Sequence, residues 1–295
     1  MLIFRQNLNG DFTNTPATAF ANLPGFALGM LNVVASHEGK KVGFTADLVV
    51  GPRGQEAVFA SEAPLNLVNQ AFVYWDATDK LTFTLGNFNT FLGYEVISPL
   101  DNFNYSTSYM FSYGPFSHTG LKADTDLGKG FSLMAGVFNP TDFTDFNPTN
   151  DYVGGAQLGY EFEKGSAYLN TIISEDFFQI DLTAGIDLTN KVYLGVNATS
   201  ASDNFYGLAG YLQIATSEKL KLGTRIEYFS DQGIGLLGVD ENVLDATLSA
   251  NYSIGDLTII PEFRIDLVSQ DMFDDGENGM NDSLSSFILA VVYGF

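Results

Sequence analysis

Cysteine is absent from this 295-residue chain, which excludes a disulfide framework, a thiolate metal site and a cysteine nucleophile, and leaves no redox signature of compartment. Basic residues are scarce, 13 Lys and Arg against 35 Asp and Glu, for a net charge of −22. Phosphate recognition needs clustered cations that release counterions, so nucleic acid is excluded as a partner and anionic headgroups are disfavoured. Charged residues make up only 16% of the chain, against roughly 25% in a typical soluble domain. No apolar run reaches the ~18 residues of a transmembrane helix; the best candidate, "GFALGMLNVVAS", is short and interrupted. A membrane β-strand needs only ~9–11 residues, so a barrel is not excluded. The opening "MLIFRQNLNG" shows no basic region leading into an apolar core and a small-residue cleavage site. The expectation is that the numbering starts after processing or that the beginning of the gene product is missing.

What is abundant is Gly (30), Phe (26) and Tyr (14), a mixture suited to strands and tight turns. Period-two alternation, the strand signal, recurs from end to end. In "KVGFTADLVV" Val42, Phe44, Ala46, Leu48 and Val50 alternate with Lys41, Gly43, Thr45 and Asp47. In "LTIIPEFRIDL" Leu257, Ile259, Phe263, Ile265 and Leu267 alternate with Thr258, Glu262, Arg264 and Asp266. No segment carries a convincing amphipathic helix.

The connectors fall into two alternating classes. Seven are short and mostly marked by lysine, at 37–41, 78–80, 127–130, 163–165, 189–191, 217–219 and 254–256. Eight are mostly longer and acidic or aromatic, near 9–25, 51–64, 90–114, 139–150, 174–176, 201–203, 230–242 and 269–281. With a first strand at Leu2 to Leu8, the pattern predicts an all-β fold: one closed antiparallel transmembrane β-barrel of about 16 strands (14–16), with short periplasmic turns and long extracellular loops. Residues 1–295 then form a single outer-membrane barrel domain, and closure removes the unpaired edges that lipid forbids. A soluble sandwich or propeller has no need to confine its long connections to one edge.

With the apolar face on lipid, Lys221, Arg225 and Glu227 point inward, as do Asp245 on the next strand and Glu262, Arg264 and Asp266 on the one after. A barrel of this size leaves an aqueous channel. The lining is open to two readings, a transverse field that selects solutes or a structural ion-pair ladder. The connection at 90–114 is the longest and carries Tyr94, Tyr105 and Tyr109 beside Glu95 and Asp101. A loop of ~25 residues without regular structure is usually functional. It is expected to fold into the lumen, aromatic faces against the wall and Glu95 and Asp101 at a constriction; an external cap is the alternative.

The run "LNLVNQAFVYW … LTFTLGNFNTFLGYEVISP … NFNYSTSYMFSYGPFSHTGLKA" resembles the OmpL-like putative β-barrel porins of Gram-negative bacteria. The likeness rests on the strand end at Gly86 to Asn89, the Gly-Tyr-Glu of Gly93 to Glu95 and the strand start at Pro115 to Gly120, and is specific over about residues 65–123. It implies a passive outer-membrane pore and supplies no ligand. By the same resemblance, "MLIFRQNLNG" looks like the tail of the family's first strand.

No catalytic constellation is expected. Ser117 and His118 are adjacent on a strand, so their side chains point to opposite faces, and His118 reads as a satisfied lumenal histidine rather than a base. "DMFDDGENGMND" (271–282) lacks Ca²⁺-loop spacing and reads as a solvated acidic loop. No cofactor or metal is called for. The expected function is passive diffusion of small polar or cationic solutes through the bacterial outer membrane. The rival is a plugged barrel that scaffolds surface lipoproteins or a larger complex; an enzyme acting on lipid or peptide is a third. Outer-membrane lipid is the expected surround. Tyr293 and Phe295, on the apolar face of "SSFILAVVYGF", resemble the signal read by the barrel-assembly machinery and belong at the aromatic girdle.

Overall fold

The structure is a computed structural model that describes residues 1–233, 235–238 and 240–295. In chain order its strands are β1 (Leu2–Asn7), β2 (Gly25–Leu28), β3 (Leu31–Glu38), β4 (Val42–Val50), β5 (Val68–Thr78), β6 (Leu81–Asn89), β7 (Ser117–Gly128) and β8 (Phe131–Phe138). They continue as β9 (Val153–Phe162), β10 (Gly165–Ile173), β11 (Phe178–Thr189), β12 (Val192–Ala201), β13 (Phe205–Ala215), β14 (Leu220–Asp231), β15 (Asn242–Ile254) and β16 (Leu257–Val268). A small hairpin, β17 (Phe273–Asp274) and β18 (Met280–Asn281), precedes the last strand, β19 (Ser283–Tyr293). All but that hairpin join one 17-stranded antiparallel sheet.

The seventeenth strand comes from one break. Gly29 and Met30 interrupt what the alternation shows as one strand. Joined across that break, β2 and β3 restore the expected sixteen. The short and long connections fall where the sequence places them, although the long connection at 230–242 contains Ile234 and Val239, which lie outside the described residues. Two short helices escape the sequence reading, α1 (Pro52–Ala57) and α2 (Tyr109–Tyr113). The latter corrects the expectation that 90–114 lacks regular structure; five residues are too few to show a 3.6-residue period. Among the described residues no helix is long and apolar enough to cross a membrane.

By compactness the chain divides into two units, Met1–Gly29 with Tyr94–Tyr113 and Gly185–Phe295, and Met30–Gly93 with Gly114–Ala184. In the first, β1 pairs with both β19 (Leu2 opposite Val291, Asn7 opposite Ser286) and β2 (Phe4 opposite Phe26). The expected partnership of the first and last strands is thus formed. In the second, β3, β4 and β5 hold a polar cluster: Asp47 accepts from Asn32, from Asn69 at 2.7 Å and from Gln70 at 3.3 Å.

In both units the usual burial pattern is inverted. Along β14 to β16 the aliphatic and aromatic side chains Ile226, Leu248 and Phe263 are exposed, while Arg225, Glu227, Asp245, Glu262, Arg264 and Asp266 are buried to 1% or less. Water would penalise such an exposed apolar face at roughly 25 cal/mol per Å²; hydrocarbon does not. The alternation seen in the sequence is therefore the alternation between a lipid-facing and a protein-facing side.

One connection of the second unit carries a pH response. Asp142, in the 139–152 connection, donates its own N–H to Ser117 O (3.1 Å), and its Oδ1 accepts the Phe116 and Ser117 N–H groups at 2.7 and 2.9 Å. Packing around the carboxyl pushes its pKa up to about 6 from 3.8, against the opposing pull of the two N–H donors. Because the folded value is raised, the contribution to stability is full below 3.8 and is lost as pH rises through about 6. Hydrogen exchange, corrected for intrinsic rates, should therefore show the Phe116 and Ser117 amides better protected at low pH than at neutrality. Asp142→Asn should abolish the difference: it keeps both acceptor bonds, and Asn tolerates the φ of 72° found here. Equal protection at both pH values in the native protein would overturn the assignment.

Candidate functional site

The buried face of β14 to β16 is built in cross-strand rows. Glu227, Asp245 and Asp266 are directly opposite one another in one row; Arg225, Thr247 and Arg264 form the next, and Gly223, Ser249 and Glu262 the third. Asp245 facing Asp266 would be repulsive alone. Arg264 relieves it, with Nε 2.8 Å from Asp245 Oδ2 and Nη2 2.7 Å from Asp266 Oδ1. Arg225 Nε lies 3.0 Å from Asp245 Oδ1, so one carboxylate is shared by two guanidinium groups.

What these rows hold is the segment Tyr94–Tyr113. A buried irregular backbone has no ladder of its own, so its N–H and C=O groups need outside partners. The wall supplies them. Glu262 accepts the N–H groups of Tyr105 (2.7 Å) and Ser106 (3.0 Å); Glu227 accepts those of Tyr109 and Met110, both at 2.8 Å. Arg225 donates to Ser106 O (2.6 Å) and Thr107 O (3.2 Å), and Arg264 donates to Thr107 O (2.8 Å). Glu95, within the segment, pairs with Arg225 at 2.7 Å and accepts Ser108 N–H at 2.7 Å. The first turn of α2 is thus capped twice, by Glu227 and by Ser108 Oγ, which accepts Phe111 N–H at 3.0 Å.

Side chains complete the fit. Tyr109 donates its hydroxyl to Asp266 (3.0 Å), and its ring lies under the Arg264 guanidinium at 5.5 Å. Tyr94 stacks on Tyr211 with centroids 4.1 Å apart and donates to the Tyr193 hydroxyl at 2.9 Å. Tyr105 packs with Ile3, Ile260 and Ile288 in an apolar cluster. Three wall glycines act as seats: a Cβ at Gly195 would lie 2.6 Å from Tyr94, at Gly207 2.5 Å from Met110 and at Gly223 2.3 Å from Phe103. Sequence reading passed over these glycines as strand and turn residues; the signal was glycine at protein-facing positions of three successive strands.

The structure brings Arg225, Glu227, Asp245, Glu262, Arg264 and Asp266 together with Glu95, Tyr105 and Tyr109, but covers them, so that they face the segment and not open water. Lys221 and Asp101 are the exposed members of the set. Tyr293 and Phe295 are exposed at the end of the outer face, ring centroids 6.0 Å apart. In the other unit His118 is fully buried, its Nε2 3.0 Å from Thr90 Oγ1 and its ring against Phe91 (4.8 Å) and Phe138 (5.1 Å).

An exposed apolar face backed by buried charges, on antiparallel strands with alternately short and long connections, defines an outer-membrane β-barrel protein. The chain belongs to the family described as putative beta-barrel porin-2, OmpL-like, whose model matches residues 2–295. It is an outer-membrane porin, in contact with membrane lipid and passing small solutes. Solved porin structures share its fold at low identity. Salmonella typhi OmpF in complex with daunomycin matches with a TM-score of 0.64 and 14% identity, over 99% of this chain and 97% of that one. An anion-selective porin from Comamonas acidovorans matches with a TM-score of 0.62 and 11% identity, over 100% and 99%. A loop L8 deletion mutant of OmpT, an outer membrane protein of Vibrio cholerae, matches with 0.59 and 12%, over 99% and 96%. The comparison with curated proteins finds no relative.

Proposed function

We propose that this porin conducts small polar or cationic solutes passively, catalyses no reaction, and uses residues 94–113 as a fixed constriction inside its lumen. The carrying observation is that irregular backbone is held by wall side chains in which four carboxylates (Glu227, Asp245, Glu262, Asp266) outnumber two guanidinium groups (Arg225, Arg264), and Glu95 of the segment itself adds a further carboxylate. A net negative wall of low dielectric raises the local concentration of cations. The packing of His118 among aromatic rings leaves it no approach for a substrate, which supports a channel over a hydrolase. Planar-bilayer recording under a KCl gradient should give ohmic conductance and a reversal potential on the cation side. Anion preference would defeat the electrostatic part.

A second reading, a barrel closed by 94–113 that docks lipoproteins or a larger complex through its acidic loops, draws on the near-complete burial of the same charges. It predicts no conductance and a stable co-purifying partner. Recognition of the last strand, through Tyr293 and Phe295, by the barrel-assembly machinery is likewise part of this proposal.

A further inference from the structure

At the tip of the inner segment, beside the short β13–β14 and β15–β16 connections, the first unit has an open pocket of about 300 Å³. That volume is at the lower end of small-molecule sites. Its polar lining includes Asp101, Gln213, Lys221, Asn251, Ser253 and Thr258, and Leu100 and Ile260 contribute apolar surface. Porins of this architecture place short turns in the periplasm, so the pocket is at that mouth.

Several of the lining groups are unused. Among the described residues the Lys221 ammonium makes no ion pair or hydrogen bond, and neither does the Asp101 carboxylate, unlike every charge of the rows above. A third is the amide oxygen of Asn251. Its Nδ2 donates to Phe103 O at 3.1 Å, which fixes the orientation of the amide, and Oδ1 is left buried without a donor. That oxygen is closed off from the pocket, so the two charged groups carry the recognition.

We infer that this pocket is a binding subsite for a small zwitterion, an α-amino acid or short dipeptide, whose carboxylate meets Lys221 and whose ammonium meets Asp101. The complement is specific. A cation alone leaves Lys221 opposed, an anion alone leaves Asp101 opposed, and a neutral polyol pairs neither charge. A zwitterion carries no net charge, so the acidic field of the protein does not repel it, and Ser253, Thr258 and Gln213 offer hydrogen bonds to a polar side chain. The inference rests on the pore reading above, which brings solute to this mouth.

Calorimetric titration of the folded protein in detergent with L-serine tests it, with propionate, ethylammonium and glycerol as probes carrying one charge or none. Saturable serine binding is expected, at least tenfold tighter than any of the three. Lys221→Met and Asp101→Asn, both at exposed positions outside the packed rows, should each weaken it by tenfold or more, while the detergent-resistant folded band stays unchanged. Serine binding no tighter than glycerol, or undiminished in both variants, overturns the subsite. KCl conductance of the same preparation separates the two proposals: conductance without serine binding overturns the subsite alone, and serine binding without conductance upholds it while the pore reading fails.

Discussion

Replacing Arg225 with methionine is expected to release residues 94–113 from the wall while the strands stay folded. The guanidinium holds Glu95 and the carbonyls of Ser106 and Thr107 on the segment, and Asp245 on the wall. Its loss leaves two buried carboxylates short of their counter-charge and two carbonyls short of a donor. Removing one partner from a buried, hydrogen-bonded ion pair costs about 3–5 kcal/mol, which is roughly a 10²- to 10⁴-fold shift in the docked-to-undocked ratio. The backbone ladder from Arg225 to Tyr211 and Thr247 does not involve the side chain, so the sheet has no reason to open. Chymotrypsin should then cut at Tyr105, Tyr109 or Phe111, positions that are buried in the native protein, and single-channel conductance should rise. Arg225→Lys should fall between, since one ammonium keeps the charge but cannot span four acceptors as the planar fork does. Native-like cleavage and conductance in Arg225→Met would show that the segment is held by something other than this network.

The second large effect is steric. At Gly223 a Cβ would stand 2.3 Å from the Phe103 ring, well inside contact distance, so Gly223→Val cannot coexist with Phe103 in its seat. Two effects compete. Valine suits a strand better than glycine, by up to ~1 kcal/mol, whereas forcing the half-buried Phe103 ring out of its seat costs ~1–3 kcal/mol. The gain belongs to the sheet and the loss to the segment, so the two separate. The denaturation midpoint should change little, while proteolytic nicking of 94–113 rises by roughly 5- to 150-fold, the factor equivalent to that cost. Gly210→Val is the matched control: it lies on the exposed side of the neighbouring strand, where an added Cβ meets nothing within 4 Å, and should behave as the native protein does. Equal nicking in the two variants would sink the seat assignment.

Much of this architecture was legible because the hydrocarbon on one side of every strand imposes a two-residue period that survives whatever the other side does. The faces of β14 to β16 and the alternation of short and long connections follow from that local signal. Where it failed, the reason was also local. The break at Gly29–Met30 interrupts the alternation over only two residues, and the turns of α1 and α2 are too short for a helical period to show. Lys221, Arg225, Glu262 and their neighbours were readable as members of one face, but whether they met water or protein was not.

The sequence alone determined which residues face lipid, how the strands connect and that the interior carries charges of both signs, because each of these is set by neighbours within a few residues. Tertiary structure alone decided that the charges are spent on holding 94–113, and that Lys221, Asp101 and Asn251 are left over around a pocket. Arg225 and Glu95 are 130 residues apart in the chain, and Tyr109 and Asp266 are 157 apart. Their meeting depends on the register across β14, β15 and β16 and on the path of the segment between β6 and β7. A one-residue slip of that register would pair Asp245 with an apolar face, so no local period could have named its partner.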